Sequence, residues 1–327
     1  MASFGTASVD DLPPMHNVVT LNSSDTLQAA THTLIKNRVL SAPVWDAATH
    51  SFLRTSSSDL FDVLCAIVTH VKEADLNVGN YASLVDDHEL LSKSSIKDLI
   101  DFAARNPFCT VAKGTLLNDI MPLLAGVQSN AWVRRVIVQD GPSDTAPSRS
   151  QIAAIVSQNK LIEYASRHKK AWADMKSTTV QTAFLGAAFT TPITVSSDAR
   201  VYDAFKLLRD HNISGIAVVD HSGRVIGSLS SRDVKGLEDE TNLQLDLTRL
   251  MAPVRSFIAY ISQLTITDAE KHPAISVRPE DTFERVVDMF ASSKVHRLFI
   301  IDSNSHAIGV ISRVDLLRYL ATGEVKA

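Results

Sequence analysis

The sequence predicts an α/β (α+β) fold made of four tandem helix–strand–strand–helix repeats that pair into two domains. Three observations predict it. Leu27, Val201 and Phe283 each open an amphipathic stretch. Nineteen residues later each stretch reaches an aspartate closing an apolar run, at Asp46, Asp220 and Asp302. Thirteen residues beyond stands a second aspartate, at Asp59, Asp233 and Asp315. Two spacings held in register three times point to a duplicated unit.

The elements follow in order. Val201–Ala204–Phe205–Leu208 and Phe283–Val286–Val287–Phe290 keep the i, i+3, i+4, i+7 stripe of a helix face, and Leu27, Ala30 and Leu34 keep it more loosely. The runs Ala-Pro-Val-Trp, Ile-Ala-Val-Val and Leu-Phe-Ile-Ile before the first aspartates are short, apolar and partly β-branched, as buried strands require. Turns at His221-Ser222-Gly223 and Ser303-Asn304-Ser305 lead into second strands, Val225–Leu229 and Ala307–Ile311, and then a second helix. Extended lead-ins precede each unit, such as Ile193–Val195 and Ile275–Val277. A looser copy has its lead-in at Pro107–Val111, its helix at Leu116–Leu124 and strands at Val133–Val138 and Ile152–Val156. Its loop, Gly141–Ser150, is long and polar and is expected to be exposed. The expected organisation is a tail at 1–15, repeat 1 at 16–71, a helical linker at 72–104, repeat 2 at 105–170, a linker at 171–187, repeat 3 at 188–238, a helical linker at 239–270 and repeat 4 at 271–322. One such unit cannot cover its own apolar face, so two units bury theirs together.

Composition narrows the function. The net charge of −4 argues against non-specific nucleic-acid binding, which needs a basic field, but leaves room for a local cationic pocket. The two cysteines, Cys65 and Cys109, form no paired motif and read as structural thiols of a reducing compartment. No signal peptide is expected in Met1–Met15. The nearest approach to a membrane span, Leu60–Val68, is short and interrupted by Asp62. A cytoplasmic protein, also nuclear, with no membrane contact is expected. No Walker loop, dinucleotide fingerprint, zinc-ligand spacing or nucleophile–base pair occurs, so neither an enzyme nor a metal site is expected.

Two patterns carry chemistry. The first is Ser-x-x-Asp at each strand-to-helix junction: Ser56 to Asp59, Ser230-Ser231-Arg232-Asp233 and Ser312-Arg313-Val314-Asp315. A capping box explains any one copy. Repeat 2 reads Ser157-Gln158-Asn159-Lys160, and a lysine in a first helical turn opposes the helix dipole. A carboxylate accepts hydrogen bonds from both ribose hydroxyls and a lysine cannot, so the acids suit a sugar and Lys160 suits either a phosphate or solvent. The second pattern is cationic. His296-Arg297 opens the strand of repeat 4, and Arg134-Arg135 stand at the same place in repeat 2. Guanidinium groups chelate phosphate with paired donors. Ser214 and Gly215 occupy that place in repeat 3.

The units ending Gly227-Ser-Leu-Ser-Ser-Arg-Asp233 and Gly309-Val-Ile-Ser-Arg-Val-Asp315 resemble the CBS motif. Four such units, with acids at repeats 1, 3 and 4 and a base at repeat 2, resemble the γ subunit of the AMP-activated protein kinase family. The resemblance implies two CBS-pair (Bateman) domains forming a disk, with AMP, ADP or ATP as regulatory ligands and no catalytic cofactor. It implies a kinase catalytic α-type subunit and a β-type scaffold subunit as partners, in an energy-sensing role. It implies that Asp59, Asp233 and Asp315 hold ribose, that Ser214, Ser312, His296, Arg297, Arg134, Asn159 and Lys160 face phosphates, and that Thr191 and Ile193 lie near the nucleoside. Arg135, Ser157, Arg232 and Arg313, their neighbours in the same motifs, complete the candidate nucleotide-binding set. The sequence departs from the family at Arg134, where the family has histidine, at Asn159, where it has lysine, and at Leu40, where it has arginine. Leu53 falls on a glycine position. The pocket between repeats 3 and 4 keeps the pattern best. A stand-alone CBS scaffold with degenerate pockets is the alternative.

Overall fold

The computed structural model describes residues 1–13, 18–71, 93–99, 109–127, 133–141, 147–184, 188–189, 191–239, 244–264 and 275–325. It contains four three-stranded sheets of one topology. Each has a short lead-in strand parallel to a central strand, which pairs antiparallel with a third.

In repeat 1, β1 (Leu21–Asn22), α1 (Leu27–Lys36), β2 (Ser41–Asp46), β3 (Ser51–Asp59) and α2 (Leu60–His70) follow in order, and α3 (Ile96–Leu99) comes after them. Repeat 2 contains β4 (Thr110–Ala112), α4 (Leu117–Leu124), β5 (Arg135–Gln139), β6 (Ile152–Ser157) and α5 (Gln158–Arg167), followed by the short α6 (Val180–Ala183). Repeat 3 contains β7 (Thr194–Ser196), α7 (Val201–Asp210), β8 (Gly215–Val219), β9 (Val225–Ser230) and a 3-10 helix (Ser231–Leu237), with α8 (Val254–Leu264) beyond. Repeat 4 contains β10 (Ser276–Val277), α9 (Phe283–Ser293), β11 (Arg297–Ile301), β12 (Ala307–Ser312) and α10 (Arg313–Thr322). The expected stripes are the buried faces: Leu27, Ala30 and Leu34 on α1, Val201, Ala204, Phe205 and Leu208 on α7, and Phe283, Val286, Val287 and Phe290 on α9. Most of the 72–104 linker and the centre of the 141–150 loop lie outside the described residues.

The repeats are tied together by exchanged lead-in segments. The segment before each repeat bridges the start of the first helix of its sibling, at Ser8↔Leu116, Thr26↔Ser95, Thr179↔Thr282 and Arg200↔Pro253. Reciprocal backbone bonds flank each bridge: Leu117 N donates to Ala7 O and Val9 N to Thr115 O, at 2.8 and 2.9 Å, and Val201 N to Ala252 O and Val254 N to Ala199 O, at 3.0 and 2.9 Å. Repeat 1 is thus laced to repeat 2, and repeat 3 to repeat 4.

Helices then join the two pairs. One core packs repeat 2 against repeat 4, and a second packs α2 against α7 and α8 of repeat 3 and its flank. Helix α2 is buried from Leu60 to Val68, which is why this stretch is apolar on every side. The N-terminal residues are not a tail, contrary to expectation. Ala2, Phe4, Val9 and Leu12 are buried in the core of repeats 2 and 4, since this stretch is the lead-in that repeat 2 requires.

Candidate functional site

Each central strand starts at an equivalent residue: Ser41, Arg135, Gly215 and Arg297, which pair across the sheet with Asp59, Ser157, Ser230 and Ser312. The residue before each start is held by one recurring bond. Leu60 N donates to Leu40 O, Gln158 N to Arg134 O, Ser231 N to Ser214 O and Arg313 N to His296 O, at 3.1, 3.4, 3.1 and 3.3 Å. This bond brings the head of the central strand and the first turn of the second helix side by side in all four repeats.

The four heads converge on one cavity of about 740 Å³. Repeat 1 contributes Arg38, Ser41 and Asp59, and repeat 2 Arg134, Arg135, Ser157, Asn159 and Lys160. Repeat 3 contributes Asn212, Ser214 and Arg232, and repeat 4 Lys294, His296, Arg297, Ser312, Arg313 and Asp315. Eight lysine and arginine residues face two carboxylates there, in a chain whose net charge is −4. The first turns of α2, α5 and α10 line it too, adding the positive ends of their dipoles.

The cations crowd one another. Arg297 donates from Nη2 to Ser214 Oγ at 3.3 Å, and its stem lies 3.4 Å from where a Cβ on Gly215 would stand. Arg313 is buried, donating from Nε to Val295 O at 2.9 Å and from Nη2 to Lys294 O. Burial pushes Arg297 down to about 10 and Arg313 down to about 9, with Arg134 adding repulsion to the first and Arg232 and Arg135 to the second. Both stay cationic at neutral pH. Arg134 and Arg135 are held down by burial and pulled back up by Asp59. Burial, then Arg313, Arg232, Arg134 and Arg135, hold His296 well below its usual range, so its imidazole is neutral. Arg135 Nη1, Arg297 Nε and His296 Nε2 are closed off from solvent with no hydrogen-bond partner among the described residues. Buried polar atoms left in that state call for a partner that the described residues do not supply.

The acids are placed less uniformly. Asp315 closes a capping box, accepting from Ser312 N at 2.8 Å and Ser312 Oγ at 2.6 Å, and still reaches the cavity. Asp233 makes the same box with Ser230 at 2.6 and 3.0 Å, but it is fully buried and does not line the cavity. In repeat 1 the expected register is off by three. Asp59 is the N-cap of α2, accepting from Phe61 N and Asp62 N at 2.9 and 3.0 Å. It therefore matches Ser230 and Ser312, and the acid position belongs to Asp62, which accepts from Asp59 N at 3.0 Å and is buried. The cause is a hairpin three residues longer than in repeats 3 and 4: thirteen residues separate Asp46 from Asp59, against ten from Asp220 to Ser230 and from Asp302 to Ser312. The same count moves the glycine position from Leu53 to Ser56. Thr191 is exposed and Ile193 packs into the core of repeats 1 and 3, and neither lines the cavity. The equivalent lead-in residue of repeat 1, Val19, does.

Lys160 occupies the acid position of repeat 2. Its backbone N–H is capped by Ser157 Oγ at 3.4 Å and its Nζ donates to Pro13 O at 3.3 Å. Burial lowers its pKa. Asn159 donates to Glu163 at 2.5 Å and leaves its Oδ1 buried with no partner among the described residues. Sequence reasoning missed Arg38, Asn212 and Lys294. All three take left-handed backbone, with φ of 53°, 51° and 55°, two residues before Leu40, Ser214 and His296. That conformation is costly outside glycine and clusters at ligand clamps. Only the asparagine hints at it in sequence.

Comparisons with known proteins agree with this geometry. The CBS domain family model matches residues 187–238 and 266–322, which hold repeats 3 and 4. Protein SDS23 of Scheffersomyces stipitis is 26% identical over 321 residues, covering 91% of this chain and 57% of that one. The chain spans about half the length of the curated SDS23 relatives it matches. The 5′-AMP-activated protein kinase subunit gamma of Kluyveromyces lactis is 23% identical over 327 residues, covering 97% of this chain and 89% of that one. A solved structure from Methanocaldococcus jannaschii, whose description relates it to g-AMPK, shares the fold with a TM-score of 0.66 at 13% identity, covering 96% of this chain and all of that one. Residues 187–238 and 266–322 thus match the CBS domain family, and the chain shares the fold of the Methanocaldococcus jannaschii structure, with four sheets of one topology among the described residues.

Proposed function

We propose that the chain is a non-catalytic regulatory subunit that binds AMP, ADP or ATP in the central cavity and reports its occupancy to a kinase complex. The observation that carries this reading is a cavity walled by all four repeats, with eight lysine and arginine side chains against two carboxylates. Phosphates would lie against Arg134, Arg135, His296 and Arg297, and a ribose would dock on Asp315. The name of the Kluyveromyces lactis relative, matched over 97% of this chain, supports a kinase catalytic α-type subunit and a β-type scaffold as partners. Because every repeat contributes a wall, a ligand that binds one arrangement of the two pairs better than another shifts their balance, which is the only way a small anion can act on a distant partner. Calorimetry with AMP, ADP and ATP tests the binding step: Asp315→Ala should weaken it at least about tenfold, and no heat with any adenine nucleotide would reject it.

A second reading has its own support. SDS23 of Scheffersomyces stipitis, at 26% identity, is more similar than the Kluyveromyces lactis γ subunit at 23%, and Asp233 has withdrawn from the cavity. On that reading the chain is a scaffold with degenerate pockets. Affinity purification that recovers no kinase subunit, with nucleotide-free protein, would favour it.

A further inference from the structure

We propose that the cavity recognises clustered phosphoryl groups by themselves, so that a polyphosphate anion carrying no nucleoside is a ligand in its own right. This rests on reading the cavity as a phosphate site and goes beyond it by dispensing with base and sugar.

Three observations carry it. First, the means of holding phosphate are abundant and shared. Cations from all four repeats and the first turns of α2, α5 and α10 face one space. Second, buried polar atoms wait there: Arg135 Nη1, Arg297 Nε and His296 Nε2 have no hydrogen-bond partner among the described residues and no solvent. Repulsion among Arg134, Arg135, Arg232 and Arg313 is relieved in proportion to the negative charge placed between them, so dense charge is favoured over a single phosphate. Third, the places for a sugar are mostly lost. Asp233 and Asp62 are buried out of reach, Lys160 replaces the acid of repeat 2, and Thr191 and Ile193 stand elsewhere. Asp315 alone keeps an acid position that opens on the cavity. A sugar thus meets two carboxylates, Asp315 and the N-cap Asp59, whereas phosphoryl groups meet eight cations.

The test is calorimetric competition on the full chain, using sodium tripolyphosphate, inositol hexakisphosphate, ATP and adenosine. Tripolyphosphate should displace ATP with a dissociation constant within about tenfold of it, and adenosine should give no heat. Arg135→Gln and Arg297→Gln should weaken both anions at least about tenfold, while Asp315→Asn should weaken ATP and leave tripolyphosphate within about twofold. Circular dichroism checks that the variants fold; should either arginine variant fail, the wild-type competition decides alone. Binding of either nucleoside-free anion supports the proposal, and the two arms separate a linear phosphoanhydride chain from phosphate esters clustered on a carbon ring. ATP binding with neither of them overturns it and leaves the nucleotide reading standing. Either of them binding without ATP keeps this proposal, and the nucleotide reading falls with it only if AMP and ADP also give no heat. No binding by either nucleoside-free anion overturns this proposal, and no binding by ATP, ADP or AMP as well overturns both.

Discussion

His296 sits among Arg313, Arg232, Arg134 and Arg135 with its Nε2 cut off from solvent. Its folded pKa is depressed, so the folded protein binds fewer protons than the unfolded chain once pH falls below about 6.5. Stability is therefore level above that value and falls with acidification below it. Thermal melts of the ligand-free protein should show this slope, and His296→Gln should flatten it; an unchanged slope would refute the assignment. Gly309 is constrained differently. A Cβ there would lie 2.3 Å from Ala188 O and 2.9 Å from Ile300 Cδ1, where Val310 N bonds that same carbonyl at 2.8 Å. Backbone cannot step aside, so Gly309→Ala should cost about 1–3 kcal/mol in denaturant unfolding. At this scale much of the cavity was legible. Arg134, Arg135, His296 and Arg297 announced themselves by recurring in register, because the strand head is the same place in each copy. Arg38 and Lys294 did not, because a left-handed backbone at a cationic residue leaves no mark in composition.

Among the elements, the strand-to-helix junction is the one that does two jobs. Ser312 caps α10 and its carboxylate partner faces the cavity. Ser312→Ala removes the Oγ that caps Asp315 N and frees the acid to swing, so it should lose about 1 kcal/mol of stability and weaken nucleotide binding together. Chemical denaturation and calorimetry on one preparation would separate a capping loss alone from the pair of effects. The strands, helices and their stripes were readable because period and burial go together. Repeat 1 was not, in one respect. Its longer β2–β3 hairpin slides the junction by three residues, and the N-cap there happens to be an aspartate, so the spacing from Asp46 looked intact. Spacing alone cannot tell a cap from the acid that follows it; strand pairing can.

At the scale of the molecule, the two large cores decide cohesion. Residues 1–12 place Phe4, Val9 and Leu12 in the core of repeats 2 and 4, and Phe4 packs edge-on to Tyr164 at 5.6 Å. Removing them exposes that core and unbridges Leu116. A chain lacking residues 1–12 should melt several degrees lower, on the order of 2–4 °C per kcal/mol lost, and take up a hydrophobic dye. An unchanged melting profile would show the segment to be dispensable. No sequence signal identified it, because a lead-in has no periodicity of its own and borrows its structure from the helix it grips.

The reciprocal grip at Ser8↔Leu116 and Thr26↔Ser95, and again at Thr179↔Thr282 and Arg200↔Pro253, bears on how such a chain can be copied or cut. A single repeat carries away its sibling's clasp and leaves its own behind, so it is not a unit that inheritance can shuffle freely. A couple keeps both clasps, and a break between the couples severs neither. Duplication of couples is the route that this lacing leaves open, whereas a cut at the seam between them spares the clasps but opens both large cores.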